Sequence, residues 1–253
     1  MKSKKILLTG STGSLGKAIL SLKSGLPFLA PAKNILDITK PETIKSFFEK
    51  NEIGAIIHCA AIARMKECSE NLAKAVETNI TGTANLVIET INKEKTTGKN
   101  IRFIHISTDG VYNGMKGNYS ENDAPMPYNL YGWTKLGAEC SVKLLKNHCI
   151  IRTSFFNPEN IKFNESATDS YTSKVTVNYL ANAIIKMLNS NFIGIINIGS
   201  ERKSDYENYK KYKPMIKPCK FKDILKTALF PMAKDASMDI SLWKKLNKSI
   251  IKN

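Results

Sequence analysis

Arginine is scarce in this chain of 253 residues. Lysine and arginine together number 38 against 22 acidic residues, which gives a formal net charge of +16, yet arginine occurs only at positions 64, 102, 152 and 202. Arginine is the residue that clamps phosphates and guanine edges through two parallel hydrogen bonds, whereas lysine is a flexible, strongly hydrated charge. The excess of lysine therefore indicates a solvated basic surface, and we predict no nucleic-acid partner.

Long apolar runs are absent as well. The longest covers residues 53–63, is interrupted by His58, and is too short to span a bilayer. Residues 1–10 contain only three consecutive apolar side chains, fewer than the core of a signal peptide requires. The five cysteines include no Cys-x-x-Cys pair, which argues against a disulfide framework and against a zinc site. These absences predict a cytoplasmic protein without a membrane partner.

Short apolar strands alternate with helical patterns over the first 152 residues. The predicted strands are 5–9, 28–36, 55–58, 102–107 and 149–152, and the predicted helices are 14–22, 41–50, 72–92 and 130–145. Because strands and helices that alternate form right-handed crossovers, we predict an α/β fold with a Rossmann-like, doubly wound parallel sheet. A helix at 175–188 and a strand at 195–198 are expected to rejoin this sheet.

The pattern changes after residue 152. Residues 157–173 are polar, and the chain beyond residue 200 is rich in lysine and contains prolines 214, 218 and 231. We therefore divide the chain into a sheet domain, residues 1–152 with 173–198, and a small C-terminal lobe, residues 153–172 and 199–253.

The first predicted strand runs into a glycine-rich turn that opens the first helix. The segment is Gly10-Ser11-Thr12-Gly13-Ser14-Leu15-Gly16. Its three glycines allow a tight turn, a close approach of the backbone to a ligand, and close packing of the helix on the sheet. The free N–H groups at the helix N-terminus attract a pyrophosphate. The segment therefore predicts a dinucleotide cofactor.

The identity of the cofactor depends on the end of the second strand. Sheets that bind NAD usually place an acidic residue there, which binds the ribose 2′-hydroxyl. Residues 29–34 contain no acidic residue but include Lys33, and Arg64 is expected near the same edge of the sheet. A cation in this place suits a 2′-phosphate, so we predict NADPH, with NADH as the alternative.

Tyr131 and Lys135 form a Tyr-x-x-x-Lys pair in the predicted helix 130–145. Residues four apart share one face of a helix, and a neighbouring ammonium lowers the pKa of a tyrosine. Thr108 follows the strand 102–107, at the edge where ligands of this fold bind. These three side chains predict proton transfer to a carbonyl oxygen, with Lys135 also reaching the nicotinamide ribose.

Longer segments surround these residues. They are Ser107-Thr108-Asp109-Gly110-Val111-Tyr112-Asn113-Gly114, Tyr119-Ser120-Glu121, residues 127–139, Leu36-Asp37-Ile38-Thr39 and Cys59-Ala60-Ala61. The order of glycine turn, strand-end threonine and Tyr-x-x-x-Lys resembles the short-chain dehydrogenase/reductase superfamily. The segments themselves resemble the dTDP-4-dehydrorhamnose reductase family, over residues 4–155 and more loosely beyond.

The resemblance implies reduction of the C4 ketone of a nucleotide-diphosphate 4-keto-6-deoxysugar, as in the synthesis of dTDP-rhamnose and surface polysaccharides. It implies that the catalytic residues are Thr108, Tyr131 and Lys135. It implies that the cofactor, besides the glycine turn and Lys33, contacts Asp37, Ile38, Cys59, Ala60, Ala61, Ala63, Asn79, Tyr131 and Lys135. We expect the sugar nucleotide to contact Thr108, Asp109, Phe155 and Arg202, which makes the small lobe a substrate-binding lobe.

Departures from the family pattern concern the sugar and the metal. Gly110 stands where the family has an aromatic residue and Phe155 where it has a tryptophan, so the identity of the sugar is left open. Lys17 and Ala18 stand where some members have an acidic residue that helps to bind a metal. We therefore predict no metal site.

Other functions stay as alternatives. A bifunctional epimerase/reductase or a 4-epimerase needs a further acid–base pair, for which His58, Cys68 and His105 are nominally available, although packing in the core is the simpler interpretation. Gly110 also replaces the glutamate of the 4,6-dehydratases, which disfavours dehydration. The alternative outside enzymes is a non-catalytic regulatory subunit that binds a dinucleotide. Whether the protein forms a homodimer is left open.

Overall fold

The computed structural model describes residues 5–250. The strands are β1 Lys5–Thr9, β2 Phe28–Leu29, β3 Ile53–His58, β4 Arg102–Ile106, β5 His148–Thr153, β6 Phe155–Phe156, β7 Glu165–Ala167, β8 Tyr171–Thr172, β9 Val175–Thr176, β10 Gly194–Ile198, β11 Lys203–Ser204 and β12 Lys217–Cys219. The helices are α1 Ser14–Ser21, α2 Pro41–Lys50, α3 Met65–Glu70, α4 Leu72–Val76, α5 Gly82–Thr97, α6 Leu130–Val142, α7 Val177–Leu188, α8 Asp205–Lys210, α9 Phe221–Leu225 and α10 Ser241–Ile250.

Six strands form one parallel sheet in the order β10-β5-β4-β3-β1-β2. The chain first moves outward from β1 to β2, then crosses back to β3 and continues through β4 and β5 to β10. The fold is therefore the predicted doubly wound α/β sheet. Its direction reverses between β1 and β3, and the crevice at the carboxyl ends of these two strands is where ligands of such sheets bind.

Helices cover both faces of the sheet. On one face, Leu15 and Ile19 of α1 and Leu180 of α7 pack against the strands. On the other, Phe48 of α2 and Leu86 of α5 do the same. With apolar cover on both sides, the central strands are buried along almost their whole length, as their continuous apolar sequence requires. None of the helices described has the length and apolarity needed to cross a membrane.

Two predicted elements differ in extent. The strand predicted over 28–36 is only Phe28–Leu29, because Pro31 cannot donate to a ladder and the chain turns away after it. The helix predicted over 72–92 is instead α4, a π-helical turn at Glu77–Thr81, and α5, which continues to Thr97. Gly98, with a φ of 65°, then ends α5 in the left-handed conformation that glycine adopts readily.

The chain after residue 152 contributes to both parts of the molecule. As predicted, β10 rejoins the sheet, parallel to β5. The lobe contains pairs of short strands, β8 with β11 and β7 with β12, together with α8 and α9. The proposed boundary at residue 199 needs correction for α10, because Trp243 of this helix is buried in the core of the sheet domain.

We predict that α10 stabilises the sheet domain through Trp243. Its side chain is 2% exposed, and its indole Nε1 donates a hydrogen bond to Tyr179 Oη at 2.9 Å. Trp243→Ala should lower the free energy of unfolding by about 3–5 kcal/mol, measured by urea denaturation with far-UV circular dichroism. The control is Trp133→Ala, because Trp133 is 53% exposed and its loss should cost less than about 1 kcal/mol. Equal losses in the two variants would contradict this packing.

Candidate active site

The glycine turn after β1 is packed against both of its neighbours. A Cβ atom on Gly10 would lie 2.6 Å from the backbone nitrogen of Ala60, and one on Gly16 would lie 2.4 Å from the carbonyl oxygen of Gly10. These two glycines are therefore required by the fold itself. A Cβ on Gly13 would meet only the Gly10 carbonyl, at 3.3 Å, so the protein leaves room at this position for another group.

A cavity of about 270 Å³ opens at this turn, between the carboxyl ends of β1 and β3. The residues predicted for the cofactor that line it are Gly10, Ser11, Thr12, Gly13, Lys33, Asp37, Ile38, Cys59, Ala60 and Ala61. Ser14, Leu15 and Gly16 begin α1, and no side chain among the described residues caps the N-terminus of that helix. Its free N–H groups and the space at Gly13 fit the phosphates of a dinucleotide.

Lys33 lies at the rim of this cavity. Its ammonium is 3.6 Å from the carboxylate of Asp37, and its side chain is otherwise exposed. Asp37 in turn accepts hydrogen bonds from the backbone and the hydroxyl of Thr39, which fixes it in the loop before α2. Ala63 and Arg64 are exposed in the segment before α3 and do not line the cavity.

Asn79, predicted to contact the cofactor, lies in the π-helical turn and does not line the cavity. Its side chain accepts a hydrogen bond from the backbone N–H of Ile62 at 2.8 Å and donates to the carbonyl of the same residue. It also donates to Thr134 Oγ1 at 2.9 Å. Asn79 thus joins the loop after β3, which borders the cavity, to helix α6.

Thr108 and Tyr131 meet at the carboxyl end of β4. Thr108 Oγ1 accepts from the backbone N–H of Gly110 at 3.1 Å, and its hydroxyl lies close enough to that of Tyr131 to lower the pKa of the phenol. Helix α6 reaches this close to the strand end because of Gly132, where a Cβ would lie 2.1 Å from the carbonyl oxygen of Gly110. The structure therefore brings together two of the three predicted catalytic side chains.

Lys135 lies one turn further along α6 but faces the sheet. Its ammonium is 3.3 Å from His105 Nε2, and burial lowers its pKa to about 8 against the opposing charge of Glu139. Burial and the nearby Asp109 carboxylate raise the pKa of Tyr131, and the neighbouring Thr108 hydroxyl only partly offsets them. The pKa of Tyr131 is thus raised, not lowered as expected, and the ammonium of Lys135 is engaged by His105.

Asp109 connects the catalytic end of β4 to the lobe. It accepts a hydrogen bond from Thr108 Oγ1 at 3.2 Å, and burial raises its pKa to about 6 although the charge of Lys174 opposes this shift. Lys174 is itself bound to Asp205 Oδ1 of α8, at 2.6 Å. Sequence reasoning missed Lys174 and Asp205, because no motif contains them and they lie 31 residues apart.

A second missed group holds α6 in place. Arg152 at the end of β5 donates to both carboxylate oxygens of Glu139, at 3.1 and 2.7 Å, and to Tyr112 Oη. Ser107, next to Thr108, donates to the same carboxylate at 2.5 Å. Glu139 lies four residues after Lys135, so the spacing of Tyr131, Lys135 and Glu139 on one helix face was the available signal.

The remaining predicted contacts lie in the lobe. Phe155 is partly exposed in β6. The guanidinium of Arg202 binds the carboxylate of Asp235 at 2.8 Å and stacks 3.4 Å from the ring centre of Tyr171. Arg202 is thus engaged within the lobe itself, and the structure does not bring it to Thr108 and Tyr131.

The residues considered for epimerisation are buried. Cys68 donates to the carbonyl of Ile62, and burial raises the pKa of its thiol to about 11. Burial lowers the pKa of His58 to about 3 and holds that of His105 well below its ordinary value. All three are therefore neutral packing groups at physiological pH. Over residues 5–250, no group of three histidine, cysteine or acidic side chains is arranged to hold a metal.

We predict that the buried Arg152–Glu139 pair is sensitive to the loss of one partner. Arg152 is 1% exposed, so Arg152→Met leaves a carboxylate without its counter-ion and should lower the free energy of unfolding by about 3–5 kcal/mol in urea denaturation. The matched control is Arg202→Met, because Arg202 also pairs with an aspartate but is 47% exposed, and it should lose about 1 kcal/mol or less. Arg152→Met combined with Glu139→Leu should regain part of the loss; a further loss instead would contradict this account.

We also predict that Asp109 lowers stability as the pH rises. Its pKa is about 6 in the folded protein and about 4 in an unfolded chain, so the fold favours the neutral acid. That contribution is complete below pH 4 and is lost as the pH rises through 6. Relative to wild type, Asp109→Asn should therefore gain about 3 kcal/mol of unfolding free energy between pH 4 and pH 7.

The control for this titration is Asp123→Asn. A hydrogen bond from Lys116 and others from Ser120 lower the pKa of Asp123 to about 2. The charged carboxylate therefore stabilises the fold at pH values above the pKa that this residue has in the unfolded chain. The asparagine variant should lose stability relative to wild type as the pH rises. If both variants showed the same trend, the assignment at Asp109 would be wrong.

Comparisons with known proteins agree with this geometry. Residues 4–166 match the family model described as the RmlD substrate binding domain. The chain is 30% identical over 154 residues to a dTDP-4-keto-6-deoxy-D-glucose reductase of Streptomyces niveus, covering 59% of this chain and 51% of that protein. It is 29% identical over 177 residues to methionine adenosyltransferase 2 subunit beta of Danio rerio, covering 65% and 51%. The chain thus spans about half the length of these relatives.

Solved structures extend the likeness over the whole chain. The dTDP-4-dehydrorhamnose reductase of Bacillus anthracis, solved in complex with NADP, aligns with a TM-score of 0.82 at 22% identity over 100% of this chain and 99% of the other. A hypothetical dTDP-4-dehydrorhamnose reductase of Sulfolobus tokodaii aligns with a TM-score of 0.82 at 27% identity over 95% and 94%. With the family model matching well over half of its residues, the chain belongs to the RmlD substrate binding domain family.

Proposed function

We propose that this protein reduces the C4 ketone of a nucleotide-diphosphate 4-keto-6-deoxysugar with NADPH. The observation that supports the proposal is the proximity of the Thr108 and Tyr131 hydroxyls at the carboxyl end of β4, one helical turn from Lys135. The named reductase relatives support the same substrate class. The substrates and the cofactor belong to the cytoplasmic pool of small metabolites, where we expect the protein to act in the synthesis of surface polysaccharides.

The cofactor site would be the cavity at the glycine turn. Its pyrophosphate would lie over Gly13 and the N-terminus of α1, and its adenine beside Asp37 and Ile38. Lys33 at the rim supports a preference for the 2′-phosphate of NADPH. When bound, the cofactor supplies the hydride for the ketone carbon.

The protein's own side chains would supply the proton that the ketone oxygen takes up. Tyr131 donates its hydroxyl proton to the oxygen that develops negative charge, and its raised pKa keeps that proton in place until then. The Thr108 hydroxyl, which donates to Asp109 in the free protein, would turn to donate a hydrogen bond to the same oxygen. Asp109, beside both hydroxyls, would accept a hydrogen bond from the sugar. Phe155 would contribute an apolar contact from the lobe.

The proposal is tested by NADPH oxidation with a panel of nucleotide-diphosphate 4-keto-6-deoxysugars, with product configuration determined by NMR. We expect oxidation with at least one of these sugars, and NADPH to be preferred over NADH. Absence of oxidation across the panel would contradict the proposal. Solvent deuterium at C3 or C5 of the product would indicate that epimerisation accompanies the reduction.

Tyr131→Phe tests the mechanism. Loss of the proton donor should lower kcat by about 10²–10⁴-fold while the Kd for NADPH, measured by fluorescence titration, stays within about twofold. The control is Tyr206→Phe on α8, whose ring lies near the Lys210 ammonium, 5.7 Å from its centre, and which should turn over at the wild-type rate. Turnover of Tyr131→Phe at the wild-type rate would exclude this residue as the acid.

A second candidate is a subunit that binds the dinucleotide without turnover. The likeness to methionine adenosyltransferase 2 subunit beta favours it. The retention of Thr108, Tyr131 and Lys135 in one arrangement supports the enzyme instead. Tight NADPH binding without oxidation by any sugar of the panel would favour the subunit.

A further inference from the structure

Two buried histidines lie beside the catalytic lysine and have no part in the proposed reaction. His58 of β3 and His105 of β4 are paired across the sheet, with ring centres 5.4 Å apart. His105 is fully buried and His58 nearly so. A buried imidazole needs a partner for each nitrogen, so the partners define the protonation state of each ring.

The hydrogen bonds of His58 fix its tautomer. Thr83 Oγ1 donates its proton to the carbonyl of Asn79 at 2.7 Å, so it can only accept from His58 Nε2, which lies 3.0 Å away. His58 Nδ1 is then unprotonated and accepts from Thr9 Oγ1 at 2.7 Å. Both nitrogens of His58 are satisfied, and the neutral ring is held in place by Thr9 of β1 and Thr83 of α5.

His105 is arranged differently. Its Nε2 lies 3.3 Å from the ammonium of Lys135, which can only donate, so Nε2 is the acceptor and the proton is on Nδ1. No described residue accepts from that Nδ1, although it is buried. The protein therefore leaves one polar atom of His105 without a partner while the other serves Lys135.

Lys135 has no other hydrogen-bond acceptor among the described residues. The Glu139 carboxylate, four residues on, is bound by Arg152 and Ser107. The titratable groups around the ammonium are His105 of β4, His58 and Cys59 of β3, and Tyr131 and Glu139 of α6. A buried ammonium without an acceptor loses its proton readily, so the charge of Lys135 depends on what accepts from it.

We propose that His105 is a positioning residue for Lys135: its neutral imidazole holds the lysine ammonium charged beside β4. The unpartnered Nδ1 of His105 is the cost of presenting Nε2 as an acceptor. His58 stabilises the arrangement because its own tautomer is fixed and its ring packs on His105. The part of the inference that concerns turnover rests on the proposed reductase function. The part that concerns the charge of Lys135 is independent of that function.

The test follows the protonation of Lys135 directly, without substrate or cofactor. The chain is labelled with ¹³C-lysine, and the Cε signal of Lys135, assigned by its absence in Lys135→Arg, is titrated by NMR. We expect a midpoint near 8 in the wild type. His105→Leu removes the acceptor and should lower the midpoint to about 6–7, the effect of losing one hydrogen bond to a charged group. His105→Gln, whose amide oxygen can accept, should keep the wild-type midpoint.

The matched control is His148→Leu, at the start of β5, where the ring contacts the carbonyl of Leu145 and not Lys135. It should leave the titration unchanged. If His105→Leu fails to fold, His105→Asn gives the same comparison, because its shorter amide falls short of the ammonium. A midpoint in His105→Leu or His105→Asn equal to the wild type would overturn the proposal.

Turnover provides the second readout. The alkaline limb of the pH profile of kcat/KM should move to lower pH in His105→Leu and stay in place in His105→Gln. If the wild-type chain oxidises NADPH with no sugar of the panel while the NMR midpoints behave as expected, the proposed function fails and the role of His105 stands. If turnover is observed but the midpoints do not differ, the role of His105 fails alone.

Discussion

The buried ion pair between Arg152 and Glu139 is the interaction on which the site depends. Removing two charges from water costs several kcal/mol for each ion, and the attraction between them repays this only with good geometry and further hydrogen bonds. Here the guanidinium makes two bonds to the carboxylate and one to Tyr112, and Ser107 adds another. The pair therefore joins β5 and the end of β4 to helix α6, which carries the tyrosine and the lysine.

This pairing also determines how the other charges in the interior are used. Because Arg152 binds the Glu139 carboxylate, this carboxylate acts on Lys135 only through its charge, without a hydrogen bond. The direct hydrogen-bond acceptor of Lys135 is the uncharged imidazole of His105. The pKa of Lys135 is therefore about 8, because its ammonium is not bound in a strong ion pair. A lysine held in this way can exchange its partner when a ligand offers hydroxyl groups, whereas one bound to a free carboxylate would have to break a stronger contact.

The parts of the site that the sequence predicted are the local ones. The glycine turn with α1, and Tyr131 with Lys135 on α6, follow from spacing within a single strand–turn–helix unit or a single helix. The contacts that were missed join residues distant in the chain: Lys135 with His105, and Lys174 with Asp205. They depend on strand order and on how the lobe folds back, which periodicity does not encode. Trp243 was assigned to the lobe for the same reason, because the sequence of its short helix does not indicate which part of the molecule the helix packs against.

Asp109 is the feature that best separates an enzyme from a binding subunit. A dinucleotide would be held by the glycine turn and the cavity beside it, and neither needs a buried acid at the end of β4. Burial of this carboxyl next to Thr108 and Tyr131 disfavours its charged form at neutral pH and so reduces stability, and the charge of Lys174 and the hydrogen bond from Thr108 compensate only in part. Ionisable groups whose burial destabilises the fold are found mostly at active sites. The +16 net charge fits the same argument: a general excess of lysine would attract anionic substrates to the protein, while two of its buried cations, Arg152 and Lys135, shape the site.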